Sequence, residues 1–537
     1  MSDAMPAALA ARRQRAQAYI AARNLPAAIA ELEAMVAAEP RLPEVWLTLA
    51  RLAQGEQRFR AAVEYARNAA AAVHESGDLR LLADAALLLQ TLGESLLAVR
   101  LIRLVDPARP EIVATADRVG QCLGLADFHA EALQVLDTAM RLREPTPALS
   151  FMRATTLRHL GRGPEATQEY QRCLALAPHH AATMLMLAQH DRRSDAAGQL
   201  ARIRQALANA GGREDLDTAT LCHALFVHLD ALGEHAAAWD ALMRGAAIKR
   251  RSLAWQPQRD ADRIAALREA CQGGFPERTN GSADAPLPIF IVGQPRTGTT
   301  VLERILGNHS QVASAGELND FHLQLCWQAD LLVEHVDPLL ARACADLDFA
   351  AIGRGYRQRS GWRAQGRRFL VDKLPGNFWY AGFIRKALPE ARIICLLRDP
   401  LDTCLSNLKE LFAGSVYPYS YEPLEAAAHH VQFRQMLQYW DEVMPGAVLT
   451  VRYEDLVRDP ATTARAVMTH CGLPFEPACI DLTRNAAPSA TASSSQVREG
   501  IHTRGVGAWR RYADQLASVR TYLQAHLPIE AFAAAMP

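Results

Sequence analysis

Five alanines constrain the first half of this chain more than any other feature. Ala28, Ala62, Ala98, Ala132 and Ala166 recur at steps of 34, 36, 34 and 34 residues. Four of them, all but Ala98, sit near the start of similar stretches: "LPAAIAELEAMVAAEP", "FRAAVEYARNAAAAV", "HAEALQVLDTAMRL", "GPEATQEYQRCLALAP". A proline follows Ala28, Ala98 and Ala166 twelve residues on, as Pro40, Pro110 and Pro178. A generic helical bundle does not need a fixed period. A period near 34 with small residues at fixed places reads as stacked helix-turn-helix units. The small residue lets two helices approach, and proline ends the second because it has no N–H to donate.

The pattern resembles the tetratricopeptide repeat (TPR) family over about residues 10–250. Trp46 and Leu49 fall in the helix preceding the second marker, and "LGEHAAAWDALMRGAAIKRR" fits a further copy around Ala238. A degenerate copy is expected between Ala166 and Ala238. The resemblance implies a surface that binds a protein or peptide partner.

"CQGGFPERTNGSADAPLP" (Cys271–Pro288) is dense in Gly, Pro, Asn and Ser, which is linker chemistry. Beyond it, short β-branched runs ("PIFIV", "RFLVD", "ARIICLLRD", "AVLTVRYED") alternate with helical stretches. That alternation implies a parallel sheet covered by helices. The expected organisation is a helical repeat domain over residues 1–275, a linker over 276–285, and an α/β domain over 286–537.

Charge narrows the partners. Lys+Arg and Asp+Glu both total 58, so no general affinity for nucleic acid or an anionic membrane surface is expected. No uncharged run approaches the roughly 20 apolar residues of a membrane span. The N-terminal "MSDAMPAALAARRQRAQAYIAARN" puts arginines among alanines and lacks the apolar core of a secretory signal. The ten cysteines are scattered without a CxxC pair, which suits free, buried thiols rather than a zinc or redox motif. A cytoplasmic protein is expected, with no metal.

The chemistry begins at "IFIVGQPRTGTTVLERIL" (Ile289–Leu306), a candidate strand, a turn with glycine at both ends, and a candidate helix. Backbone N–H groups of such a turn and the positive end of the helix favour an anion. The spacing matches the nucleotide-hydrolase pattern G-x-x-x-x-G-K-[ST], except that Thr299 stands where lysine would reach the phosphates. The cation of the turn is Arg296. Three other segments place polar groups at candidate strand ends, where open α/β sheets bind ligands. They are Lys373 in "LVDKLPGNFWY", Arg398 with Ser406 eight residues on in "IICLLRDPLDTCLSNLKE", and Tyr453 in "LTVRYEDLVRDP". Taken singly, each has a bland explanation: a surface lysine, a local Arg398–Asp399 ion pair, a serine on a helix face, a core tyrosine.

In this order they resemble the sulfotransferases. "PIFIVGQPRTGTTVLERIL" resembles that family's 5′-phosphosulfate loop, "LLRDPLDTCLSN" its 3′-phosphate motif, and "VRYEDL" also recurs there. The tyrosylprotein sulfotransferases and the bacterial TPR-linked sulfotransferases are the most similar groups. The resemblance implies 3′-phosphoadenosine 5′-phosphosulfate (PAPS) as co-substrate. Arg296, Thr297, Gly298, Thr299 and Thr300 would hold the phosphosulfate, Arg398 and Ser406 the 3′-phosphate, and Tyr453 the adenosine side. "SSSQVREGIHTRGVGAWRRY" resembles the loop closing over the co-substrate, with Ser495, Gln496 and Arg511 as candidates. The tyrosylprotein members have a basic residue where this chain has Glu410.

Transfer of a sulfuryl group needs cations for charge building on the leaving oxygen, and Arg296 and Lys373 are the pair for that. It also needs a base for the acceptor hydroxyl. Glu317 in "SAGELNDF" matches the family's glutamate, while His309 and His322 are rivals nearby in sequence. The acceptor is a hydroxyl: protein tyrosine is the class the relatives suggest, and a sugar, a lipid or a small phenol stays open beside it. Two other readings stay open: a P-loop kinase or NTPase, and a TPR scaffold with an inactive α/β domain.

Overall fold

The computed structural model describes residues 6–105, 113–190, 195–279, 281, 285–485, 487–488 and 500–532. Among the described residues the first part contains helices and no strand: α1 (Ala7–Ala21), α2 (Leu25–Ala38), α3 (Pro43–Gly55), α4 (Phe59–Ser76), α5 (Leu79–Thr91), α6 (Ser95–Arg103), α7 (Ala116–Leu125), α8 (His129–Leu142), α9 (Pro147–His159) and α10 (Gly163–Leu176). It continues through α11 (Ala181–His190), α12 (Ala196–Asn209), α13 (Leu216–Leu232), α14 (His235–Arg251) and α15 (Pro257–Ala270). Each of the marker alanines, Ala238 included, is the fourth residue of the second helix of a pair, and each is 0% exposed. A small side chain at that buried place lets the paired helices approach closely. The degenerate copy is the α11–α12 pair, where half-buried Gln199 takes the alanine's place. Local chemistry starts several helices. Asn24, Asp78 and Asp215 accept backbone N–H groups in their first turns, and prolines occupy first-turn positions of α2, α3 and α10. Pro40 and Pro178 lie two residues past the ends of α2 and α10, and Pro110 lies outside the described residues.

The α/β region contains β1 (Leu287–Gly293), α16 (Thr299–Gly307), β2 (Val312–Ser314), α17 (Asp320–Ala329), α18 (Pro338–Ala343), α19 (Phe349–Ser360), β3 (Phe369–Asp372) and α20 (Ala381–Ala387). Then follow β4 (Arg392–Leu397), α21 (Pro400–Leu408), α22 (Pro423–Val443), β5 (Val448–Arg452), α23 (Tyr453–Arg458), α24 (Pro460–Cys471) and α25 (Ala517–His526). The five strands form one parallel sheet in the order β2-β3-β1-β4-β5. Strands β1, β3 and β4 are buried at every residue, as the apolar runs of a doubly covered parallel sheet should be.

By compactness the chain divides into two units. One comprises residues 1–156 and 323–335, the other 157–322 and 336–537. In the first unit, residues 323–335 pack on the α3–α4 pair. The Trp327 ring meets Phe59 edge-on at 6.1 Å, and Arg60 donates to the Trp327 and Gln328 carbonyls at 2.8 and 2.7 Å. In the second unit, helices of the repeat region share a core with the sheet's helices. Phe226 and Leu242 belong to the same buried cluster as Leu405, Val431 and Leu523. Arg250 of α14 pairs in a fork with Glu425 of α22 at 2.7 and 3.0 Å. All ten cysteines are free and buried. No described helix is long and apolar enough to cross a membrane.

Candidate active site

The sheet order lines up the polar residues at the strand ends. Glu317 lies three residues after β2, Lys373 directly after β3, the Gly293–Gly298 turn at the end of β1, Arg398 directly after β4, and Tyr453 directly after β5. Across the sheet the row therefore runs Glu317, Lys373, Arg296, Arg398, Tyr453. The chain leaves β1 toward one edge and returns to the other side of β1 for β4. Such a reversal opens a crevice beyond the carboxyl ends of the strands.

The turn after β1 is shaped by two glycines. Gly293 has φ +145°, and a Cβ there would fall 2.7 Å from the Leu396 carbonyl of the neighbouring strand. Gly298 has φ +95°, and a Cβ there would fall 2.4 Å from Tyr453 Cδ2. Only glycine meets both demands. Between them Arg296 itself adopts the left-handed region at φ +64°, uncommon for a residue with a side chain. Thr297 Oγ1 closes the turn by donating to the Gln294 carbonyl at 2.8 Å. Gly298 offers no side-chain cap, so α16 begins with N–H groups and a positive dipole end at the turn. Thr297, Thr299 and Thr300 are buried there.

Arg398 joins the turn to the next strands. Its Nη1 donates to the Arg296 carbonyl at 2.9 Å, its Nη2 donates to the Gly505 carbonyl, and its guanidinium lies over the Tyr453 ring at 4.9 Å. Arg398 Nε and the buried Gln294 Oε1 have no hydrogen-bond partner among the described residues. Burial raises the Tyr453 phenol above its ordinary value. Asp402 fastens the returning C-terminal segment by accepting from the Gly507 and Trp509 N–H groups at 2.6 and 2.9 Å. Asn407 Nδ2 donates to the Pro295 carbonyl at 3.2 Å, tying α21 to the turn. Ser406 lies half-buried on α21 beside it.

On the other side of β1, backbone bonds fix the segment carrying Glu317. Ala315 N–H donates to the Val371 carbonyl and Lys373 N–H to the Gly316 carbonyl, both at 2.8 Å. The Lys373 ammonium, 1% exposed, is 2.5 Å from Glu317 Oε1 and 3.6 Å from Glu303 Oε2. Burial works to lower this ammonium, but Glu303 and Glu317 outweigh it and hold it above its ordinary value. Glu317 is 44% exposed, so its carboxylate reaches the lysine from the solvent side. The two histidines near it in sequence are buried and engaged elsewhere. His309 uses both ring nitrogens, with the Pro474 carbonyl at 3.0 Å and Gln311 N–H at 3.1 Å, and His322 Nδ1 meets the Tyr380 hydroxyl at 2.6 Å.

One described candidate, Arg511, stands apart from this row. Arg511 is half-exposed, with Nη1 3.6 Å from Asp230 Oδ1 of α13, where Tyr512 Oη also donates at 2.6 Å. Ser495 and Gln496 lie outside the described residues. Glu410 approaches the turn instead of a basic residue, with Oε2 3.7 Å from Arg296 Nε. Glu303 was missed from the sequence. The signal was there in form: a charged residue four positions after Thr299, on the face of α16 that must turn inward. Tyr417 was missed as well; its phenol is raised by burial and by the nearby Glu317 charge. No local pattern announces it.

With this geometry in view, the chain is similar to the following proteins. Residues 288–477 match the family model described as "Sulfotransferase family". An uncharacterized protein of Aquifex aeolicus is 33% identical over 245 residues, 44% of this chain and 32% of that one. A putative protein-tyrosine sulfotransferase of Caenorhabditis briggsae is 24% identical over 232 residues, 41% of this chain and 80% of that one. The chain thus spans about a third of the length of the Aquifex relative. Among solved structures, the sulfotransferase domain from the curacin biosynthetic pathway aligns with a TM-score of 0.28 at 19% identity, covering 43% of this chain and 98% of that domain.

Proposed function

We propose that this chain, whose residues 288–477 fall in the sulfotransferase family, moves a sulfuryl group from PAPS to an acceptor hydroxyl. The observation that carries the reading is the row across the sheet. A carboxylate, three cations and an aromatic ring stand in a row at the carboxyl ends of five adjacent strands. The residues fit the donor. Arg296 and the uncapped start of α16 suit the phosphosulfate, and Arg398, with Nε still to be partnered, suits a second phosphate beside Tyr453.

Within this reading each residue has one task. Arg296 and the Thr297–Thr300 N–H groups hold the donor against the turn. Arg398 and Ser406 hold its 3′-phosphate, and Tyr453 flanks the adenosine. Ser495, Gln496 and Arg511 are assigned to the closing segment. PAPS, when bound, supplies the activated sulfuryl group. Glu317 takes the proton of the acceptor hydroxyl. Lys373 turns from Glu317 to the leaving oxygen, and Arg296 meets the charge that builds there. No step needs a metal.

The acceptor is placed with proteins, tyrosine foremost, and the helical repeats are the surface that recruits the substrate or a partner. A cytoplasmic location goes with this reading. The organisation proposed is a repeat domain to residue 275, a linker, and a transferase domain from 286. The test is incubation of purified protein with labelled PAPS and a lysate of its own cells, then identification of the labelled species, alongside calorimetry with PAP and with ATP. Labelled product and PAP binding are expected. Binding of ATP with strict Mg²⁺ dependence would favour a kinase, and PAP binding without any transfer would favour an inactive scaffold.

A further inference from the structure

The Lys373 ammonium is almost wholly buried, yet it touches two carboxylates of different kinds. Glu317 is 44% exposed and Glu303 is 9% exposed. Glu303 is itself anchored, because Ser314 Oγ donates to its Oε1 at 2.6 Å while Oε2 faces the lysine. We propose that Glu303 is a positioning residue whose buried carboxylate keeps Lys373 charged and in place when Glu317 lets go of it. The functional half of this inference rests on the reading of Glu317 as base and Lys373 as leaving-group cation.

A buried ammonium without a counter-ion is costly. Suppose Lys373 had only Glu317. Each time Glu317 accepted a proton, the lysine would be left as an unpaired charge away from water, and the protonation would be opposed. Glu303 removes that conflict. One carboxylate can change its charge at the solvent edge while the other holds the ammonium from beneath. The third acid nearby does not take this place. Asp372 is 0% exposed, accepts from the Tyr356 hydroxyl at 3.0 Å and from Leu318 N–H at 3.4 Å, and is pushed well above its ordinary value chiefly by burial. Tyr417, whose phenol is raised by burial and by the Glu317 charge, brings no positive charge. Sheet order explains why α16 can reach the lysine: β1, which launches α16, pairs directly with β3, which ends at Lys373.

The chain offers an unusually direct test. Its only lysines are Lys249, Lys373, Lys386 and Lys409, so protein grown on lysine labelled with ¹³C at Cε has four side-chain signals to follow. Lys373 is assigned by its loss in Lys373→Arg. In Glu303→Gln the midpoint of Lys373 should fall by about one unit or more, the scale set by an opposite charge within a few ångströms. The other three should stay. Ser314→Ala should give a smaller fall, and Glu303→Asp should restore part of the wild-type midpoint. A folded Glu303→Gln protein whose Lys373 stays charged over the same pH range as wild type overturns the proposal. The second arm uses labelled PAPS with a tyrosine-containing peptide. Turnover in Glu303→Gln should drop tenfold or more while PAP affinity stays within twofold, and equal turnover would overturn the functional half. If wild type transfers nothing, the reading of the site fails, but the lysine titration still decides whether Glu303 governs Lys373.

Discussion

Glu410→Gln should tighten the binding of PAP, even though it removes a partner of the loop's cation. Glu410 Oε2 lies 3.7 Å from Arg296 Nε, and the two side chains are only 16% and 15% exposed. Unit charges at that distance attract by roughly 4 kcal/mol at an effective dielectric of about 20. A phosphate or sulfate drawn to the same guanidinium meets Glu410 as a like charge. At a separation of about 6 Å the repulsion is roughly 3 kcal/mol before solvent and side-chain movement relieve it. If about a third survives, the gain on removing the charge is about 1 kcal/mol, a five- to tenfold lower Kd. Isothermal calorimetry of PAP against both proteins at neutral pH reads this directly. The second readout is stability against pH. Burial raises the Glu410 carboxyl above its ordinary value, with the Arg296 and Arg158 charges opposing it. The folded state therefore holds this proton at a pH where the unfolded state has released it, and stability is lost as pH rises through that window. The Gln variant lacks the proton. Its melting temperature should exceed that of wild type near pH 8, and the difference should shrink toward zero below about pH 4. PAP affinity that is unchanged or weaker in a folded Gln variant would show that Glu410 supports Arg296 rather than competing with the anion.

Other perturbations separate the remaining parts of the site. Arg398→Ala with Ser406→Ala should weaken PAP tenfold or more, since charge-assisted bonds contribute roughly 1.5–3 kcal/mol each; unchanged calorimetry in a folded double variant removes this assignment. Glu317→Gln should leave PAP affinity near wild type while turnover drops by roughly 10²–10⁴; near-normal single-turnover transfer sinks the base, and a parallel loss of melting temperature would mark a structural glutamate. Gly298→Ala should abolish PAP binding and lower stability, because its Cβ would collide with the Tyr453 ring at 2.4 Å and hold a strained φ; a stable variant with intact affinity would mean that the ring moves freely. Activity should survive EDTA treatment, and strict Mg²⁺ dependence would redirect the site toward phosphoryl transfer.

Much of the fold is local and could be read along the chain. The marker alanines announce close helix contacts because a small side chain lets two helices approach, and all six are fully buried. The glycines of the turn announce backbone that no other residue adopts, and the apolar runs announce strands covered on both faces. The polar residues next to those runs follow directly, since a strand end is where the apolar pattern stops. What no local pattern contains is which strands are neighbours. Along the chain the order is Arg296, Glu317, Lys373, Arg398, Tyr453, and only the pairing β2-β3-β1-β4-β5 sets Glu317 beside Lys373 and leaves Arg296 between Lys373 and Arg398. Strand order is decided by long-range packing of whole faces, so contacts 56 residues apart, such as Lys373 with Glu317, lie beyond any periodicity. For the same reason tertiary structure alone could place Glu303 under the lysine, Glu410 against Arg296, Arg511 at Asp230 and Trp327 on Phe59. In each case a side chain's identity was visible in the sequence, while its partner was chosen by the burial of surfaces far apart along the chain.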